Sequence, residues 1–156
     1  MNSEREGAAP FVLREYRTSD LFSLVALDAD CFETGIAYTL PEMRRFLSRA
    51  TREVVLAESE GSIAGFCVGH RSPRTTGRII TLDVREDRRR GGLGAALLSA
   101  VIERLAAAGA RRTVLEVDVR NPGAIAFYER LGFRRSGTLP DYYGPGRTAY
   151  QMTRGG

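Results

Sequence analysis

The chain has no lysine, no tryptophan, one histidine and two cysteines in 156 residues, and these absences narrow its chemistry before any motif does. A Walker-type phosphate loop needs a Gly-Lys-Ser/Thr step and a Schiff base needs a lysine amine, so both are excluded. His70 stands alone, and Cys31 and Cys67 lie in apolar surroundings with neither a metal-ligand spacing nor a disulfide framework. Buried, reduced thiols and no metal are the expectation. No apolar run approaches the ~20 residues of a membrane span, and residues 1–10 are small and polar, without the apolar core of a signal peptide. The expectation is a cytoplasmic location and no membrane partner.

What is present instead is arginine, which supplies all 23 basic residues against 19 acids for a formal net charge of +4. The arginines alternate with acids and form no long basic face with stacking aromatics, which argues against a nucleic-acid partner. With 43% hydrophobic residues the length suits one domain, expected over 10–156 behind a mobile tail at 1–9. Such a domain buries about two-thirds of its unfolded surface.

Periodicity gives the elements. A strand over 11–16 precedes a helix that Thr18 or Ser19 can cap, with Leu21, Leu24, Val25 and Leu27 at helical spacing as far as Phe32. Pro41 suits the first turn of a second helix over 41–50. Strands follow at 54–58 and 63–70 around a hairpin signal at 59–62, and a loop at 71–76 leads into the β-branched run 77–84. Leu93, Leu97, Val101 and Leu105 recur every fourth residue in a helix that should pack on a sheet and stop near Gly109. Residues 112–119 read as a strand with Leu115 and Val117 on one face and two acids, Glu116 and Asp118, on the other. Asn121 as cap, Pro122 in the first turn and Gly132 beyond the last bound a helix over 122–131, and strands at 133–139 and 148–153 follow. The resulting β-α-α-β-β-β-α-β-α-β-β order is an α/β (α+β) fold with a mixed sheet of about seven strands and about four helices.

The stretch Val84-Arg85-Glu86-Asp87-Arg88-Arg89-Arg90-Gly91-Gly92-Leu93-Gly94-Ala95 leaves the third of these apolar strands and opens a helix, at the strand end where open α/β sheets bind ligands. Its glycines let backbone approach a ligand, unpaired N–H groups of the helix's first turn attract an anion, and flanking arginines add charge-assisted bonds. A plain strand-to-helix turn on a charged face is the competing reading. A dinucleotide fold fits poorly, because Gly92-Leu93-Gly94-Ala95-Ala96-Leu97 lacks the third glycine and Glu116 lies inside its strand.

Arg89-Arg90-Gly91-Gly92-Leu93-Gly94, followed by Asn121-Pro122-Gly123-Ala124-Ile125-Ala126-Phe127-Tyr128-Glu129-Arg130-Leu131-Gly132-Phe133, resembles the GCN5-related N-acetyltransferase superfamily. The second run is similar to a segment of its ribosomal-protein-alanine N-acetyltransferase branch. The resemblance implies the acyl-CoA N-acyltransferase fold, acetyl-CoA as co-substrate, and a protein N-terminus or peptide as acceptor, ribosomal proteins included. It implies that backbone of Leu82, Asp83 and Val84 bonds the pantetheine arm, that pyrophosphate lies over Arg89, Arg90, Gly91, Gly92, Leu93, Gly94 and Ala95, and that Asn121 touches the pantetheine. The branch's base falls on Glu116 and its acid on Tyr128. Tyr142 and Tyr143 in the last loop match the paired tyrosines that line the branch's peptide entrance, and Glu33 in the loop between the first two helices is a candidate to hold the substrate's amine or the residues after it.

The chemistry agrees, because acetyl transfer needs a base for the amine and a proton for the departing thiolate. For Glu116 the competing reading is a structural ion pair with an arginine, and Asp118 or Asp83 could serve as base instead. For Tyr128 it is a core aromatic. A small-molecule amine or lysine acceptor, and a non-catalytic module that senses acyl-CoA or binds nucleic acid, stand as alternatives.

Overall fold

The computed structural model describes residues 9–72 and 75–155, so most of the tail expected at 1–9, and residues 73 and 74 of the loop expected at 71–76, lie outside the described residues. The chain runs β1 (Val12–Glu15), α1 (Leu21–Cys31), α2 (Leu40–Leu47), β2 (Arg52–Ser59), β3 (Ser62–Arg71), β4 (Thr76–Val84), α3 (Leu93–Ala107), β5 (Arg112–Asp118), α4 (Pro122–Arg130), β6 (Arg134–Leu139) and β7 (Ala149–Gly155). This is the expected order, and the seven strands form one mixed sheet, β1-β2-β3-β4-β5-β7-β6. Only β4 and β5 pair in parallel, the consequence of the α3 crossover between them.

Local chemistry explains the helix boundaries. At α2, Thr39 Oγ1 accepts the Glu42 N–H at 3.3 Å while Glu42 Oε1 accepts the Thr39 N–H at 3.0 Å, a reciprocal cap ahead of Pro41. The cap expected at Thr18 or Ser19 is displaced: both residues lie in a 3-10 turn before α1. Asp20 takes the capping position without a side-chain bond to α1; its Oδ2 accepts the Arg17 N–H at 2.8 Å across the 3-10 turn, and its two oxygens take Arg14 at 2.9 and 3.0 Å. Helix α3 ends where Gly109, at φ 109°, lets Ala110 N–H reach back to Leu105 C=O at 2.9 Å.

Two cores lie on opposite faces of the sheet. Leu93, Leu97, Leu98, Val101 and Leu105 of α3 pack with Ile125, Phe133 and Met152 on one face, and Leu24, Leu27, Met43 and Leu47 of α1 and α2 with Leu56, Phe66 and Val68 on the other. Glycines set how closely α3 lies on the sheet. A Cβ at Gly65 would stand 2.7 Å from Asp83 O and 2.8 Å from Leu93 Cδ2, and one at Gly69 2.9 Å from Val101 Cγ1.

The site is positioned by a fork. β4 and β5 pair only at Thr76↔Arg112, Gly77↔Thr113 and Arg78↔Val114. Just beyond, Gly69 of β3 faces Ile79 while Val68 faces Thr81, leaving Ile80 as an extra residue. That bulge breaks the alternation of β4. Ile80 packs with the α1–α2 core and Thr81 also turns to that side, bonding Asp28 of α1, while Ile79 and Leu82 pack with the α3 core. From Ile79 onward the β5-facing edge of β4 has no strand partner, and side chains take some of the carbonyls in this stretch, Tyr38 donating to Ile80 C=O at 3.4 Å and Cys31 to Val84 C=O at 3.5 Å.

Candidate active site

The fork encloses a cavity of about 320 Å³, lined by Ile79, Ile80, Thr81 and Leu82 of β4, Leu115 to Asp118 of β5, Asn121, Ala124 and Tyr128 of the α4 region, and Glu33, Tyr142 and Tyr143 of the two loops above it. The structure therefore brings Glu116, Tyr128, Asn121, Glu33 and the tyrosine pair to one place. Leu115 and Val117 enter the α3 core, which leaves Glu116 on the α1–α2 side of the sheet. Tyr128 packs on the α3 side, its ring edge-on to Phe127 and Phe133 at centroid distances of 5.3 and 5.8 Å. Burial pushes its hydroxyl well above the usual tyrosine range, so Tyr128 stays protonated.

The acids do not stand free. Glu116 is ion-paired with Arg78, the last β4 residue to pair with β5, at the closed base of the fork. Asp118 Oδ1 accepts the Arg120 N–H at 2.9 Å and Oδ2 takes Arg147 Nη2 at 3.2 Å, which fixes the turn into α4. The same Arg147 nitrogen lies 3.2 Å from Glu33 Oε2, joining the α1–α2 loop to the β6–β7 loop. Asp83 is fully buried and turns away from the fork: its Oδ1 accepts the Thr81 hydroxyl at 2.5 Å, beside Asp28. Burial, then the Asp28 carboxyl, raise the Asp83 carboxyl well above the ordinary carboxylate range, and Oδ2 has no hydrogen-bond partner.

Tyr142 and Tyr143 meet edge to face at 4.9 Å in a loop closed by Gly146 N–H on Asp141 Oδ1 at 2.7 Å and Tyr143 N–H on Arg147 C=O at 3.1 Å. Burial and the negative Glu116 raise the Tyr142 hydroxyl while Arg78 draws it back. Arg78, Arg147 and the cavity-lining Tyr38 escaped the sequence reading. The available signal was an arginine interrupting the apolar run of β4 much as Glu116 interrupts β5. His70 is structural: Arg49 Nη1 lies 2.8 Å from its Nε2, and burial together with that charge holds the imidazole below its usual range.

At the other end, α3 begins at Gly92, φ 82°, with no side-chain cap, whereas α2 has Thr39 and α4 has Asn121, whose Oδ1 accepts Ala124 N–H at 3.1 Å. The first intrahelical bond runs from Ala96 N–H to Gly92 C=O, so the amides before Ala96 are open. Left-handed backbone falls on Gly92 and Arg90, φ 66°, not on Gly91 or Gly94. The flanking arginines are largely engaged. Arg89 Nε donates to Val84 C=O at 3.1 Å, Arg88 donates to Ser59 Oγ and Ala9 C=O, and Arg85 holds Asp87 at 2.8 Å.

A parallel strand pair thus splays beside an uncapped glycine-opened helix, with a carboxylate and a phenol lining the cleft. The family model described as Acetyltransferase (GNAT) family matches residues 21–133. The chain belongs to that family. This GNAT enzyme is 31% identical over 144 residues to an uncharacterized N-acetyltransferase of Methanocaldococcus jannaschii, spanning 92% of this chain and 90% of the relative. It is 28% identical over 170 residues to an N-alpha-acetyltransferase of Saccharolobus solfataricus, spanning 97% of each. Among solved structures it is similar to Ard1 from Thermoplasma volcanium, with TM-score 0.85 and 30% identity over 92% of this chain and 96% of that one.

The GNAT enzyme is thus an acetyl-CoA-dependent N-acetyltransferase. Its own geometry suits the co-substrate. A Cβ on Gly94 would meet nothing nearer than Val84 Cγ2 at 3.4 Å, and one on Gly91 nothing nearer than Arg88 O at 3.6 Å. Packing does not demand these glycines, and without side chains they leave the amides of the first turn open to close approach by a ligand. Among the described residues no helix is long and apolar enough to cross a membrane, and no group of three His, Cys, Asp or Glu residues could hold a metal.

Proposed function

We propose that this GNAT enzyme acetylates the N-terminal α-amine of a protein or peptide within a ternary complex, with Glu116 as general base and Tyr128 as general acid. One observation carries the reading: the two groups line the same cavity from opposite faces of the sheet, a carboxylate on one wall and a protonated phenol on the other. Acetyl-CoA, when bound, supplies an acetyl thioester. The open amides of Gly92, Leu93, Gly94 and Ala95, with Arg90, would hold its pyrophosphate. The β4 edge without a strand partner at Leu82, Asp83 and Val84 would bond its arm, with Arg89 yielding Val84 C=O, and the Asn121 amide group that capping leaves unused would donate to it.

Glu116 takes the proton from the acceptor ammonium, and Tyr128 gives its hydroxyl proton to the departing sulfur. A terminal amine has an ordinary pKa of ~7.7–8.0 against ~10.4 for lysine, so deprotonating it at neutral pH costs roughly 3–4 kcal/mol less. One carboxylate suffices. The named N-alpha-acetyltransferase relative and the likeness of residues 121–133 to the ribosomal-protein-alanine branch support a peptide acceptor. Tyr142, Tyr143 and Glu33 then form its entrance.

Glu116→Gln and Tyr128→Phe should each lower turnover about 10²-fold or more while calorimetry finds acetyl-CoA binding unchanged. Full activity in either variant rejects its role. A small amine or lysine turned over well beside inert peptides rejects the acceptor assignment.

A further inference from the structure

We infer that Arg78 is a specificity-determining residue that selects acceptors carrying a carboxylate on the same residue as the reacting amine, as in a peptide that begins with aspartate or glutamate. The inference rests on Glu116 acting as the base. Each acid around the acceptor cleft has an arginine partner: Glu33 and Asp118 share Arg147, Asp118 also has Arg120 at 3.6 Å, and Glu116 has Arg78. Chemistry at Glu116 leaves the first three contacts intact. It does not leave Arg78 intact.

When the acceptor ammonium transfers its proton to Glu116, the carboxylate becomes a neutral acid and the guanidinium beside it loses its counter-ion. The proton moves from nitrogen to Glu116 and no electron pair leaves the acceptor, so the positive charge stays behind on Arg78. Its side chain is one-third exposed, which leaves it incompletely solvated. The neighbouring Arg49–His70 pair offers no anion, because a histidine side chain is neutral or cationic. The missing charge has to come from the acceptor. Glu116 and Arg78 are in direct contact, so a carboxylate reaching Arg78 from an amine at Glu116 lies within one residue of that amine. Tyr142 lines the same cavity as Glu116.

An acidic first residue and the α-carboxylate of a free amino acid present this same chemistry, and the assay separates them. Initial rates are measured with peptides that begin Asp, Asn, Glu, Gln and Ala, with an Ala-Asp peptide, and with free aspartate and alanine, for the wild type, Arg78→Gln and Arg78→Lys. The expected result is kcat/KM about tenfold higher for Asp-first over Asn-first and for Glu-first over Gln-first, falling to within about twofold in Arg78→Gln and partly kept in Arg78→Lys. Acetyl-CoA titration of each variant reports folding. Equal rates for Asp-first and Asn-first peptides, or a preference that Arg78→Gln leaves intact, overturn the inference while peptide acetylation itself stands. Free amino acids acetylated in place of peptides, with the same Arg78 dependence, uphold the carboxylate site and overturn the N-terminal peptide reading.

Discussion

At the α3 end of the fork the ligand-facing surface is mostly backbone, the uncapped first turn of α3 and the unpaired edge of β4, and its side chains are mainly absent, as at Gly91, Gly92 and Gly94. At the acceptor end the surface is charged side chains in pairs, Glu116 with Arg78 and Asp118 and Glu33 with Arg147. A backbone site recognises what every GNAT enzyme shares, because amide groups do not depend on residue identity. A site of paired side chains distinguishes one acceptor from another, because exchanging either partner changes the charge that a substrate must bring.

The sharpest way to break this contrast is to put atoms where the α3 end has none. Gly94→Leu adds a side chain whose Cβ meets only Val84 Cγ2 and Phe127 Cζ at ordinary contact distances, so the fold tolerates its root. The chain beyond that root fills the approach to the open amides. We expect calorimetric affinity for acetyl-CoA to fall about a hundredfold through the loss of charge-assisted bonds to backbone, with urea stability nearly unchanged. Unaltered affinity would mean that the first turn of α3 does not hold the co-substrate.

Next in size is the latch between the two acceptor loops. Arg147→Met keeps the aliphatic stem but releases Glu33 and Asp118, each 3.2 Å from Arg147 Nη2. The acceptor KM should rise about fivefold, in line with the loss of part-exposed ion pairs, while the acetyl-CoA KM stays within about twofold. Equal rises in both constants would show that Arg147 supports the whole cleft and not its acceptor half.

The same contrast governs what the sequence discloses. The fold follows from period and punctuation: Leu93 to Leu105 at helical spacing, Asn121-Pro122 to open α4 and Gly109 to end α3 each act within a few residues. The gathering of Glu116, Tyr128 and Asn121 at one cavity was legible too, because strand alternation and helix position place them. Arg78 was not, because its partner lies 38 residues away and only the parallel β4–β5 register brings them together. The engagement of Arg89 with Val84 C=O, and the shift of the α1 cap from Thr18 to Asp20, depend likewise on where a long side chain folds back. Nor did the glycines beneath α3 stand out, since a close approach between two elements leaves no local pattern.

The smallest expected effect concerns the ground between the two ends. Asp83 lies on β4 with its side chain away from the fork, fully buried on the α1–α2 side beside Thr81 of its own strand and Asp28 of α1. Burial, and next the Asp28 carboxyl, raise its carboxyl well above 3.8, more than the Thr81 hydroxyl and Arg89 lower it. Below the unfolded value, near 3.8, both states hold the proton and the group contributes no pH dependence. As pH rises past it, the unfolded chain releases the proton and the folded chain keeps it, so stability falls until the folded group titrates in turn. Asp83→Asn removes that fall. Urea unfolding from pH 4 to pH 7 should show the variant gaining on the wild type as pH rises, and parallel profiles would place the proton elsewhere. Because Asp83 faces α1 and not the fork, this gain should leave the KM values for acetyl-CoA and for the acceptor alike untouched. A shift in either would move Asp83 from the scaffold of β4 into the site that β4 lines.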